Sequence, residues 1–181
     1  MRRYQYEKRY LRAGLEQIKP YLLANELFWN LGLANPKERP PYPQLTLGNL
    51  LLSAHILGCV DAEAKELAKL DEERREWASA WRAKAARDYE YRLNQWNQTV
   101  EDFSQDGSFS EFALATEVRN RVLLELLGVE LGAEERAGLG SPASADTRLR
   151  RFTQSGEFLW DAEVEDCFGA ERYWFLYSQP S

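Results

Sequence analysis

From Asp61 to Phe103 the chain contains no glycine and no proline, and Ala, Glu, Lys, Arg and Leu dominate. These residues lose little on entering a helix, so the stretch predicts one long helix. Asp61 is a suitable N-cap, and Glu63 in the first turn suits the positive end of the helix dipole. At 100° per residue, Leu67, Leu70, Trp77, Trp81, Ala85, Tyr89, Leu93, Trp96, Val100 and Phe103 fall on one stripe, roughly 160° wide. Arg74 interrupts it, and the spacings do not keep a heptad, which argues against a regular coiled coil.

Length sharpens the reading. About 43 residues at the α-helical rise make a rod of roughly 65 Å, whereas a compact domain of this size is about 40 Å across. Such a helix must break, protrude or be covered by a partner, because an aromatic face of this kind is not left in water.

The other elements are shorter. Tyr6, Tyr10, Leu11, Leu15 and Ile18 recur at helical spacing and predict a helix over Tyr4–Ile18. Pro20 opens a second segment, Tyr21–Leu31. Pro36, Pro40, Pro41 and Pro43 exclude a helix from the next stretch and make it a loop. Thr46 is the expected N-cap of a helix through Leu57, ended by Gly58. After a turn at Ser104–Gly107, a helix begins at Ser108, as a capping box with Glu111, or at Ser110, with Phe109 and Leu114 as a staple. It runs to about Leu127, with Phe112, Ala115, Val118, Val122, Leu123, Leu126 and Leu127 as its apolar set and Gly128 and Gly132 marking its end.

The expected organisation is a helical domain over residues 1–132, a glycine- and serine-rich linker over 133–146, and an aromatic tail over 147–181. In the tail, Glu157–Trp160 and Tyr173–Tyr177 read as strands of a small antiparallel hairpin, which must pack on other elements because a lone hairpin is marginal. The fold class is therefore mainly α: a helical bundle built on one long helix (about 61–103), with a small C-terminal β-hairpin.

Charge and cysteine usage limit the function classes. The net charge is −6 and the pI about 5.0, which opposes non-specific binding to phosphate backbones. The charge is uneven: Arg2, Arg3, Lys8, Arg9 and Arg12 crowd the N-terminal stretch, while Glu157, Asp161, Glu163, Glu165, Asp166 and Glu171 crowd the tail. The first residues lack an apolar run, and no stretch is long and apolar enough to span a membrane. Cys59 and Cys167 lie outside any CxxC spacing and read as reduced thiols, so the expected compartment is the cytoplasm.

No motif for catalysis, phosphate cradling or a cofactor is present, and the expectation is no enzyme and no cofactor. His55 is the single histidine, which excludes sites built on several imidazoles. Cys59, four residues on, is at most half of a metal pair, and a core or turn-capping role suits His55 better. Glu72, Glu73 and Glu76 form an EExxE cluster, the basis of a reading as a metal-dependent all-helical hydrolase. The second carboxylate motif such a magnesium site requires, ExxD, does not follow on the next expected helix, and Arg74 and Arg75 turn the cluster into a salt-bridged face.

The functional reading is thus a non-enzymatic helical interaction or scaffold protein, a subunit of a homo-oligomer or larger assembly, with Trp77, Trp81, Trp96, Trp160 and Trp174 as partner-binding residues. The alternative is a nucleic-acid-binding accessory protein that uses Arg2, Arg3, Arg82, Lys84, Arg87, Arg150 and Arg151 beside stacking aromatics.

Overall fold

The structure, a computed structural model, describes residues 2–32, 41–107 and 109–181. Most of the proline-rich loop and the cap candidate Ser108 lie outside the described residues. The fold is mainly α, as the composition predicts. In order, the elements are α1 (Arg2–Glu16), α2 (Ile18–Leu23), α3 (Leu47–Val60), α4 (Lys65–Glu76), α5 (Ala78–Asp106), α6 (Glu111–Glu130), α7 (Ala133–Leu139) and α8 (Ala143–Leu149). The tail carries β1 (Thr153–Ser155), 3-10 helices at Ala162–Cys167 and Trp174–Tyr177, and β2 (Ser178–Pro180). The chain divides into two compact units, Met1–Asp88 and Tyr89–Ser181, and the division falls within α5.

The long-helix stretch is helical but not one rod. It breaks at Trp77, whose backbone departs from helical geometry (φ −107°, ψ 30°), next to the point where Arg74 interrupts the stripe. The remaining long helix, α5, has 29 residues, which is about 44 Å. Asp61 is not the N-cap; it closes α3, and its carboxylate accepts from Tyr4 Oη at 3.0 Å.

In the first unit α1 lies against α3. Gly14 permits the approach, since a Cβ there would meet Leu50 Cδ1 at 2.6 Å. α3 is apolar nearly all round and buried over most of its length, as a central core helix should be. Its N-terminus is held twice. Thr46 Oγ1 accepts from Asn49 N at 3.1 Å, and the fully buried Asp88 carboxylate accepts from Gly48 N at 2.7 Å, which places negative charge at the positive end of the helix. α3 runs through Gly58 to Val60.

The segment expected to be helical over Tyr21–Leu31 leaves the helix after Leu23. Its carbonyls are captured from elsewhere in the unit. Lys84 Nζ donates to Ala24 O at 2.7 Å and to Glu26 O at 2.9 Å, Tyr21 Oη donates to Leu27 O at 3.2 Å, and Trp29 forms a bridge with Leu45. Carbonyls satisfied in this way have no need of a helical ladder.

In the second unit α6 is capped by Ser110, whose Oγ accepts from Ala113 N at 3.0 Å. It continues through Gly128 to Glu130. The stretch 133–146, read from its glycines as a linker, carries α7 and most of α8. Gly132 is the N-cap of α7, and Gly140, at φ 102°, ends it, a conformation that costs glycine little. The hairpin pairs Thr153 with Pro180, Gln154 with Gln179 and Ser155 with Ser178, outside the aromatic runs expected to form it. Those runs pack instead around the buried Phe168, with Trp160 at 5.4 Å and Tyr173 at 5.1 Å between ring centroids, both edge-on.

Candidate functional site

The expected partner-binding tryptophans separate into two groups. Trp81 is 2% exposed and Trp96 is 0% exposed, so neither offers a surface to a partner. Apart from the half-buried Leu67 and Trp77, the stripe is covered by the chain itself and needs no external cover. Trp77, Trp160 and Trp174 are half-buried. Lys19 Nζ lies 5.2 Å from the Trp77 ring centroid, and Trp160 Nε1 donates to Ala115 O at 2.8 Å. Trp174 is stacked under Arg150, whose Cζ is 3.5 Å from the ring centroid, and meets Phe175 edge-on at 5.7 Å.

The basic residues also divide. Lys84 is 3% exposed and spent on carbonyls and on the Tyr21 ring 4.6 Å away; burial, with Arg87 acting in the same direction, pulls its pKa below the ordinary lysine value. It is a structural lysine and no part of a nucleic-acid surface. Arg3 pairs with Glu7 at 2.6 Å, and the Arg150 guanidinium is committed to Trp174. Arg82, Arg87 and Arg151 are exposed. The side chain of Arg2 lies outside the described residues.

Glu72 and Glu73 both bind Lys69 Nζ, at 3.3 and 2.8 Å, and Glu76 is exposed. Among the described residues no group of three or more His, Cys, Asp or Glu is arranged to hold a metal ion. His55 is half-buried in α3, and Cys59 and Cys167 are free thiols. No helix among the described residues is long and apolar enough to cross a membrane.

The most developed polar site belongs to the second unit and centres on Arg121, which is not among the residues that helical periodicity singles out. Arg121 is 6% exposed. Its Nε donates to both Asp146 oxygens, at 3.0 and 2.9 Å, and its Nη2 lies 2.8 Å from Glu125 Oε1. The guanidinium also sits 4.8 Å from the Phe175 ring centroid. Trp96 Nε1 donates to Asp146 Oδ1 at 2.9 Å. Burial raises the Asp146 pKa, and Arg121 and the Trp96 hydrogen bond only partly offset this.

A cavity of about 460 Å³ opens beside this cluster, lined by Tyr89, Arg121, Glu125, Arg136, Ser141 and Asp146 with further residues of α6 and α7. Tyr89 Oη donates to Gly140 O at 3.1 Å at its wall. Burial raises the Tyr89 pKa against the opposing influence of Arg121 and Arg136. The sequence carries one signal for the cluster: Arg121 interrupts the apolar set of α6 between Val118 and Val122, and a cation in that position must find buried acceptors.

A different surface forms where α6 begins. Phe112, expected in the core, is 82% exposed. Phe109 stacks on Phe103 at 4.2 Å and stays half-exposed. One turn beyond Phe112, Trp160 covers the Ala115 carbonyl. Acids close to these rings in sequence are exposed: Glu111, Glu157, Asp161 and Glu163. No protein-family model, curated protein or solved structure matches the chain.

Proposed function

We propose that this is a non-enzymatic helical interaction protein that assembles with protein partners, in the first instance with further copies of itself. The supporting observation is the 82% exposure of Phe112 beside the half-buried Phe109 and Trp160 at the start of α6. A single exposed apolar side chain is ordinary, but neighbouring large aromatics within a polar rim are characteristic of binding surfaces. Burying one such ring fully contributes about 1.5–3 kcal/mol.

The exposed acids near these rings in sequence favour a basic opposing surface. The chain carries exposed basic residues of its own, among them Arg82 and Arg87 of α5. Sedimentation velocity at low and high salt tests the reading. Association that weakens as salt rises supports it, since rim charges are screened while the aromatic contact is not. Sedimentation as a monomer under both conditions ends it.

A further inference from the structure

The cavity beside Arg121 has no part in that reading. Its hydrogen-bonding capacity is one-sided. The Asp146 oxygens are taken by Arg121 and Trp96, and the Glu125 carboxylate by Arg121 and by Arg172 Nε at 3.3 Å. Arg121 Nη1 is buried and meets no acceptor among the described residues. Arg136, exposed on α7, makes no ion pair among them; its side chain passes over Gly128, where a Cβ would stand 3.5 Å from its Cδ. The acceptors are thus occupied while donors of two arginines are left over.

A buried guanidinium N–H without an acceptor is costly, and arginine matches the planar geometry of carboxylate and phosphate oxygens. The volume of about 460 Å³ lies within the range of small-molecule sites. We propose that this cavity binds a small organic anion through a carboxylate or phosphate group held by Arg136 and Arg121, with Tyr89 and Ser141 at its wall. Arg121 is fixed in place by Asp146 and Glu125, so the site is preformed and ordering costs on binding are low.

The Trp96 indole N–H, bonded to Asp146 at the cavity wall, is a reporter; its resonance is identified as the indole signal lost in Trp96→Phe. Succinate and inorganic phosphate are titrated separately into the full-length protein and followed by ¹H–¹⁵N spectra, with potassium chloride at matched ionic strength as control. The expected result is a saturable shift of the Trp96 indole signal by at least one probe, the tighter one identifying carboxylate or phosphate, and affinity about tenfold weaker in Arg136→Gln. Arg136 is exposed, so this variant retains the fold. A shift matched by chloride, no saturable shift with either probe, or equal affinity in wild type and Arg136→Gln would each overturn the assignment.

Discussion

Trp96 Nε1 and Asp146 Oδ1, fifty residues apart in sequence, are joined by a 2.9 Å hydrogen bond inside the second unit. The bond ties α5 to α8, and Arg121 ties α6 to the same carboxylate. Asp146→Ala leaves both donors without their acceptor and is expected to cost about 2–4 kcal/mol. Asp146→Asn keeps an oxygen for Trp96 and is expected to cost much less. Urea denaturation followed by circular dichroism measures both; equal losses would show that the acceptor is not what matters.

Asp146 and Glu66 should have opposite pH signatures. Burial raises the Asp146 pKa above its ordinary 3.8, so its contribution is complete below that value and declines as pH rises through the folded pKa. At Glu66 burial also pushes upward, but the Arg12 hydrogen bond, a backbone bond and Lys8 outweigh it and hold the pKa below 4.5. Its contribution is therefore present above 4.5 and declines as pH falls through the folded pKa. The stability advantage of wild type over Glu66→Gln should shrink on acidification, and that over Asp146→Asn should grow. Denaturant midpoints across the acid range decide it, and parallel trends would contradict the assignment.

Lys84 holds the irregular segment after α2. Lys84→Met keeps the aliphatic stem but leaves the Ala24 and Glu26 carbonyls without their donor, at an expected cost of about 1–3 kcal/mol. Amide exchange over residues 24–31 should accelerate more than exchange in α3. A uniform change across the unit would mean that Lys84 acts through the core instead.

Gly14 sets two effects against each other. Alanine in a helix interior gains about 1 kcal/mol over glycine, but a Cβ here meets Leu50 Cδ1 at 2.6 Å and Leu45 Cδ1 at 3.1 Å. Overpacking a core costs about 1–3 kcal/mol, so Gly14→Ala is expected to lower the melting temperature. A rise would show that the leucines yield freely.

Local chemistry was legible in the sequence where the interactions are local. Thr46 caps the helix it is expected to cap, Ser110, one of two cap candidates, caps α6, and the Leu67–Phe103 stripe is buried apart from the half-buried Leu67 and Trp77. The break at Trp77 lies beside the interruption that Arg74 introduces. Long-range capture was not legible. Nothing near Ala24 announces that Lys84, sixty residues away, will take its carbonyl and end α2. The glycines of 133–146 suggest a flexible linker by composition, whereas Gly132 and Gly140 bound a short helix. At the cavity, Arg121 alone left a trace, as a cation in an apolar row; its partners Asp146 and Glu125 become meaningful only once α6 and α8 are packed.

Association of the chain through the aromatic surface at Phe112 is tested most directly by light scattering across a concentration series. Phe112 is the second residue of α6, where an aspartate favours the helix dipole, so Phe112→Asp should fold as wild type does. The wild-type protein is expected to gain mass with concentration, and Phe112→Asp to remain a monomer with an unchanged circular dichroism spectrum. A wild-type monomer throughout the series, or a variant that associates as wild type does, would rule out association through Phe112.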